Sequence, residues 1–331
     1  MFAMQLDQAG RPLALRACAT PNPGPTQVRL EVRACGVCRT DLHLCDGELP
    51  LKGAPRVPGH EVVGIVEAVG GKVHDVHVGD RVGVPWLHRA CGRCRFCLAG
   101  QENLCDSPDF TGWTVDGGYA DTMLAEAEAL LPIPPQFTDT EAAPLLCAGL
   151  IGFRAWRMAC DAAGGVWDIG LYGFGAAAHL LVQLARYSNQ EVYAFTRPGD
   201  VAGMKFARKM GCAWAGGSDA APPKPLDAAI IFASDGSLVP AALEAVRKGG
   251  AVVCAGIHMS DIPSFPYELL WGERKLLSVA NLQRRDGLDY LPRAARAGVK
   301  PQVTVYPLDR ANEALNDLRA GNVHGAAVLQ P

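Results

Sequence analysis

The 331-residue chain has no long hydrophobic run, no excess of either charge and no charged opening segment followed by an unbroken apolar stretch. Its most apolar window, 169–182, is interrupted by three glycines and a histidine. It falls short of the roughly 20 residues that a membrane span requires. The N-terminus, MFAMQLDQAGRPLALR, lacks the pattern of a secretory signal. A cytoplasmic address is therefore expected, with no membrane partner. With 31 Lys+Arg against 34 Asp+Glu the formal charge is −3, which gives no electrostatic reason to expect nucleic acid. Hydrophobic residues at 49% and charged residues at 20% exclude a disordered chain, and the length suggests two domains.

What is abundant is glycine, proline and cysteine: 37, 24 and 12 residues. Residues 1 to about 150 hold short β-type runs at 28–34, 62–69 and 81–84 between Gly/Pro-rich turns, with no long helical period before Thr140. This texture suits a small irregular β-barrel. From 166 onward, strands alternate with helices: strand 166–172, helix 176–186, strand 192–196, helix 201–210, then strands at 228–233, 251–255 and 276–279. Such alternation implies βαβ units and a parallel sheet. A helical pattern at 308–320 and a strand at 326–329 close the chain, the strand's partner being unreadable from sequence.

Gly173-Phe174-Gly175-Ala176-Ala177-Ala178 has the form G-x-G-x-x-A where a strand ends and a helix begins. The first glycine permits a tight turn, the second lets a pyrophosphate approach the backbone, and Ala178 allows close helix–strand contact. An acid that accepts from the ribose hydroxyls of NAD usually closes the second strand of such a unit. Here Thr196 and Arg197 stand there, with no carboxylate before Asp200. A hydroxyl followed by a guanidinium favours the extra phosphate of NADP, so NADP is expected over NAD.

The cysteines fall into two groups. Cys91, Cys94, Cys97 and Cys105 form C-x2-C-x2-C-x7-C in one polar loop. Four thiolates so close can close a tetrahedral shell, which points to structural zinc; the spacing is not that of the common ferredoxin iron–sulfur runs. The other group is dispersed: Cys38 in CGVCRTDLH, His60-Glu61 in GHEVVGIVEAVG, and Cys147 in PLLCAG.

These segments, with GDRV, the four-cysteine loop and the glycine turn, occur in an order similar to that of zinc-dependent alcohol dehydrogenases of the medium-chain dehydrogenase/reductase superfamily. The resemblance covers nearly the whole chain. It implies an α/β fold: a Rossmann doubly wound parallel sheet at 152–287 plus a GroES-like β-barrel catalytic domain at 1–151 and 288–331. It also implies two zinc ions per chain, hydride transfer between an alcohol or aldehyde and NAD(P), and a homo-oligomer, dimer or tetramer. Cys38, His60 and Cys147 match the catalytic zinc ligands, with Glu61 able to approach the metal. Asp41 matches a carboxylate that orients the ligating histidine. Arg39 matches a contact to the cofactor pyrophosphate, and Thr40 with His43 matches a proton relay. Gly173, Gly175, Ala176, Ala178, Thr196 and Arg197 are the expected cofactor contacts, Ala176 standing where relatives often have glycine.

Polyol-type dehydrogenases are related but generally lack a cysteine at the position of Cys147. A non-catalytic binding or regulatory relative would be expected to lose one of the three ligands. A nucleic-acid module built on the four-cysteine loop would have only the short basic cluster Arg89, Arg93 and Arg95. Trp86 and Trp113 are candidates for narrowing a substrate pocket.

Overall fold

Hydrophobic alternation in the N-terminal third becomes a mostly antiparallel sheet centred on the eleven-residue strand Gln27–Val37. The computed structural model describes residues 1–331. Gln27–Val37 pairs antiparallel with Glu61–Val69, Thr122–Glu126 and Ala326–Gln330. The sheet continues from Glu61–Val69 through Arg81–Val84 to Leu131–Pro132. At its other edge, Val303–Pro307 runs parallel to Ala326–Gln330, which supplies the partner that the last strand lacked in sequence. Inward positions such as Val28, Leu30, Val62 and Val66 are buried, as period-2 patterning requires.

The second half forms a six-stranded sheet, parallel at every pairing. Numbered within this sheet, its strands are Asp168–Tyr172, Glu191–Thr196, Trp214–Gly217, Leu226–Ile231, Val246–Cys254 and Lys275–Ser278, in spatial order 3-2-1-4-5-6. That order is the doubly wound dinucleotide-binding arrangement, whose ligand crevice lies beyond the carboxyl ends of strands 1 and 4, where the winding reverses. Fully apolar stretches such as Ala228–Ala229–Ile230–Ile231 are wholly buried, as expected for strands covered on both faces. Tyr172 and Phe195, paired across strands 1 and 2, stack with ring centroids 4.0 Å apart.

The chain separates into two compact units: Met1–Leu150 with Asn281–Ala295 and Pro301–Pro331, and Ile151–Ala280 with Arg296–Lys300. No helix is long and apolar enough to cross a membrane.

Several elements depart from the sequence reading. An eight-residue helix, Arg39–Asp46, precedes the first expected one. It is short and rich in residues of modest helix propensity, and its ends hold it. The Asp41 carboxylate accepts the Cys38 N–H at 2.9 Å, and Gly47 closes it at φ +85°. Strand Trp214–Gly217 has only four residues, two of them glycine, so periodicity gave no sign of it. The pattern at 308–320 is a 3-10 turn, Leu308–Arg310, leading into helix Ala311–Ala320.

Candidate active site and metal centres

Strand register assembles the first site. Gly36 pairs with Glu61, so His60, next to Glu61, and Cys38, two residues beyond Gly36, emerge at the same end of the sheet. Cys147 follows the 3-10 turn Ala143–Leu146, immediately before helix Ala148–Ala163. One donor atom from each of Cys38, His60, Glu61 and Cys147 lies within 4.8 Å of all the others. The Cys38 and Cys147 sulfurs are 3.9 Å apart.

Asp41 orients the histidine. His60 Nδ1 donates to Asp41 Oδ1 at 3.1 Å, leaving Nε2 as the nitrogen for a ligand. That Nε2 is buried and has no hydrogen-bond partner. Burial alone would push His60 toward neutrality, but Asp41 and Cys38 together raise its pKa well above the usual value. Burial, and then the Cys38 charge, push the Glu61 carboxyl up. The shared Cys38–Cys147 contact draws Cys38 down and Cys147 up, as when two thiols hold one proton. Two sulfurs, a carboxylate and an imidazole nitrogen with no hydrogen-bond partner, brought together in a buried place, suit a divalent ion, which would satisfy all four donors.

Thr40 and His43 lie one turn apart on helix Arg39–Asp46, both buried. Thr40 Oγ1 is 3.8 Å from Cys38 Sγ, and His43 Nδ1 is hydrogen-bonded to Glu48. Arg39, in the first turn of the same helix, is exposed.

The second cluster is local. The sulfurs of Cys91, Cys94, Cys97 and Cys105 also lie within 4.8 Å of one another. Cys91–Cys97 and Cys94–Cys97 are separated by 3.9 and 3.5 Å. A tetrahedron with arms of about 2.3 Å, the Zn–S length, has edges of about 3.8 Å. A multi-iron cluster would hold its cysteines farther apart, so the spacing favours one ion. Backbone N–H groups of Cys91 and Ser107 point at the Cys105 sulfur. Those of Cys97 and Asp106 draw Cys94 down to about 6.

In the other unit, Gly173 has φ +89°, and a Cβ there would lie 3.0 Å from the Ala233 nitrogen, so conformation and space both demand glycine. Gly175 is exposed, and a Cβ there would meet nothing within 4 Å. It precedes the twelve-residue helix Ala176–Tyr187, which no side chain caps. The first-turn N–H groups, beginning at Ala176, are thus open to an anion, and Ala178 is buried beneath them. Thr196 is buried, its hydroxyl 3.4 Å from the carbonyls of Arg197 and Gly216. Arg197 is exposed. Asp200 caps the next helix, accepting from Gly203 N–H at 2.8 Å.

Residues 24–135 match the model of the alcohol dehydrogenase GroES-like domain. The chain is 43% identical over 324 residues to the probable alcohol dehydrogenase AdhA of Mycobacterium tuberculosis, covering 96% of this chain and 92% of that protein. It is 34% identical to an alcohol dehydrogenase of Geobacillus stearothermophilus, over 100% of this chain and 99% of the other. The chain belongs to the zinc-type alcohol dehydrogenases of the medium-chain dehydrogenase/reductase superfamily. The fold agrees: acetophenone reductase of Geotrichum candidum, in complex with NAD, superposes with a TM-score of 0.88 at 27% identity, over 100% of this chain and 97% of that one.

Sequence reasoning about this alcohol dehydrogenase overlooked three features of the site. Tyr119 donates its hydroxyl to Asp41 Oδ2 at 3.1 Å. Gly36 leaves the space that the Glu61 carboxylate fills. Phe110 joins the two tryptophans: Trp86 stacks on Phe110 at 4.3 Å and on Trp113 at 6.1 Å, and Trp86 lies 6.3 Å from the His60 ring. Trp113 is held by its Nε1, which donates to the Pro50 carbonyl at 2.8 Å.

Proposed function

We propose that this alcohol dehydrogenase is zinc-dependent, with two zinc ions per chain, and transfers hydride between a small alcohol or aldehyde and a nicotinamide cofactor, NADP(H) in preference to NAD(H). The observation that carries the reading is the buried, unpartnered Nε2 of His60 facing the sulfurs of Cys38 and Cys147. Cys38, His60 and Cys147 would hold the catalytic ion, with Glu61 as an alternative donor. Cys91, Cys94, Cys97 and Cys105 would hold the structural one. Zinc supplies a Lewis acid that acidifies an alcohol hydroxyl, and the nicotinamide supplies the hydride acceptor.

The remaining work falls to the chain's own residues. Thr40 Oγ1, buried beside Cys38, would take the alcohol proton and start the relay that the family resemblance assigns to Thr40 and His43. His43, hydrogen-bonded to Glu48 through Nδ1, would be the next member of the relay. The open N-terminus of helix Ala176–Tyr187 offers positive charge suited to the cofactor pyrophosphate, and Arg39 is kept as a pyrophosphate contact on the family resemblance alone. The stacked Trp86, Phe110 and Trp113 form an aromatic wall, and Trp86, beside the His60 ring, would narrow a substrate site there.

The catalytic unit is the one containing the mostly antiparallel sheet, and the cofactor unit is the one with the parallel sheet. A homo-oligomer, dimer or tetramer, fits the edge strand Lys275–Ser278, paired on one side only, near exposed Tyr267 and Trp271.

Elemental analysis of metal-replete protein tests the metal assignment. Two zinc ions per chain are expected in the wild type. His60→Ala or Cys147→Ala should retain one, lose alcohol oxidation and still bind NADPH. One ion in the wild type, or turnover by either variant at near wild-type rates, contradicts the reading.

A further inference from the structure

We infer that Tyr119 is a positioning residue for the metal centre: its hydroxyl holds the Asp41 carboxylate in the orientation that aims His60 at the thiols. The inference rests on the proposed assignment of Cys38, His60 and Cys147 as zinc ligands.

Asp41 is almost wholly buried, and both its oxygens are fully used. Oδ1 accepts from Gly59 N–H at 3.2 Å and from His60 Nδ1 at 3.1 Å. Oδ2 accepts from Cys38 N–H at 2.9 Å and from the Tyr119 hydroxyl at 3.1 Å. Two of the four donors belong to the backbone beside or at the ligands, and one is the ligand imidazole itself. Tyr119 alone comes from a separate segment, 78 residues away in sequence. It ties the carboxylate to a part of the fold that carries no metal ligand.

Tyr119 is itself held by burial and by backbone hydrogen bonds. Its side chain is fully buried, its N–H donates to Pro58 O at 3.0 Å, and its carbonyl accepts from Met4 N–H at 2.8 Å. Its ring covers Gly59, the residue before His60, so closely that a Cβ on Gly59 would lie 2.4 Å from the ring's Cδ1. One side chain therefore acts at two points: the ring seats the peptide leading into His60, and the hydroxyl seats the carboxylate that orients its imidazole. A buried tyrosine needs some acceptor for its hydroxyl in any case. Metal retention separates positioning from simple satisfaction, because satisfaction alone would leave the affinity of the site unchanged.

The test uses full-length wild type, Tyr119→Phe, Asp41→Asn and the double variant, each loaded with zinc and challenged with a chromogenic zinc chelator. His60→Ala identifies which release phase belongs to the catalytic ion. Removing carboxylates that orient metal-bound histidines weakens metal binding by about 10- to 100-fold, and one bond farther out the lower end, roughly tenfold, is expected for Tyr119→Phe. The loop phase should not change. In the Asp41→Asn background the same substitution should have almost no effect, because the hydroxyl acts through that carboxylate.

Equal release from wild type and Tyr119→Phe overturns the inference. So does a full effect that persists in the Asp41→Asn background. If instead His60→Ala holds as much zinc as the wild type, the ligand assignment beneath the inference fails, an outcome distinct from the other two.

Discussion

Gly36 and Glu61 face each other across the central strand pair, and a Cβ on Gly36 would lie 1.9 Å from Glu61 Oε2. The buried carboxylate occupies the space that a side chain at 36 would take. The backbone at this position is not in the left-handed region, so the requirement for glycine is one of room alone. The same pairing delivers Cys38 and His60 to one place, and anything that spreads it also spreads these two proposed ligands.

Gly36→Ala should therefore damage the metal site more than the fold. The methyl must displace a buried carboxylate or force the paired strands apart, and overpacking of this kind costs about 1–3 kcal/mol. Zinc analysis should show about one ion per chain, the loop ion remaining, and alcohol oxidation should fall at least roughly tenfold, in line with losses on disturbing a ligand's surroundings. A fully active Gly36→Ala protein with two zinc ions would show that Glu61 moves aside without consequence.

The loop cysteines carry a prediction about pH. Backbone N–H groups of Cys97 and Asp106 favour the Cys94 thiolate and lower its pKa to about 6, whereas burial and the neighbouring Cys94 sulfur raise Cys97 to about 12. The thiolate is the reactive form, so in zinc-stripped protein the alkylation of Cys94 should rise with pH through about 6 and then level off. Cys97 should still be gaining reactivity at pH 9. Mass-spectrometric mapping of iodoacetamide labelling between pH 5 and 9 distinguishes the two thiols, and parallel profiles would count against this arrangement of donors. Because the depressed pKa stabilises the loop above the unfolded value near 9, that contribution is lost as the pH falls through about 6, and the stripped loop should loosen on acidification.

The two clusters of candidate metal donors were not equally legible in the sequence. Cys91, Cys94, Cys97 and Cys105 lie in one short loop, where spacing alone points to a tetrahedral centre. Cys38 and Cys147 are 109 residues apart, and they were connected only through family resemblance, because strand register is a long-range property that no local pattern encodes. Register also explains why Gly36 went unnoticed, since its partner lies on another strand. The same holds for Tyr119, 78 residues from the carboxylate it contacts. In the parallel sheet, strands such as Leu226–Ile231 declared themselves through continuous hydrophobicity. Trp214–Gly217, with its two glycines, gains its strand conformation from pairing with Glu191–Thr196.

Cofactor preference turns on what the end of strand Glu191–Thr196 presents. In an NAD-selective site a carboxylate there accepts from both ribose hydroxyls and repels a phosphate. Here the nearest downstream acid, Asp200, is committed to capping helix Val201–Lys209 through Gly203 N–H, and swinging it toward a ribose would forfeit that cap, worth about 1 kcal/mol. Thr196 contributes no negative charge, and its hydroxyl is turned toward the carbonyls of Arg197 and Gly216. Arg197 is left exposed as the permanently charged group next to the strand end. Its planar guanidinium suits a phosphate, and charge-assisted bonds of this type are worth about 1.5–3 kcal/mol each, or roughly one to two decades in affinity. Wild-type kcat/KM should therefore be at least roughly tenfold higher with NADPH than with NADH. Arg197→Ala should lower the NADPH value by a similar factor and leave the NADH value within about twofold, since only the phosphate loses a partner. Adding Thr196→Asp should restore an acceptor and reverse the preference. Because Arg197 is exposed and Asp200 stays on its helix cap, the thermal midpoint of Arg197→Ala should hardly move, whereas adding Thr196→Asp, which puts a carboxylate in a buried place beside two carbonyls, should lower it. Equal use of both cofactors by the wild type would mean that Arg197 points into solvent and that the missing carboxylate alone does not select NADPH.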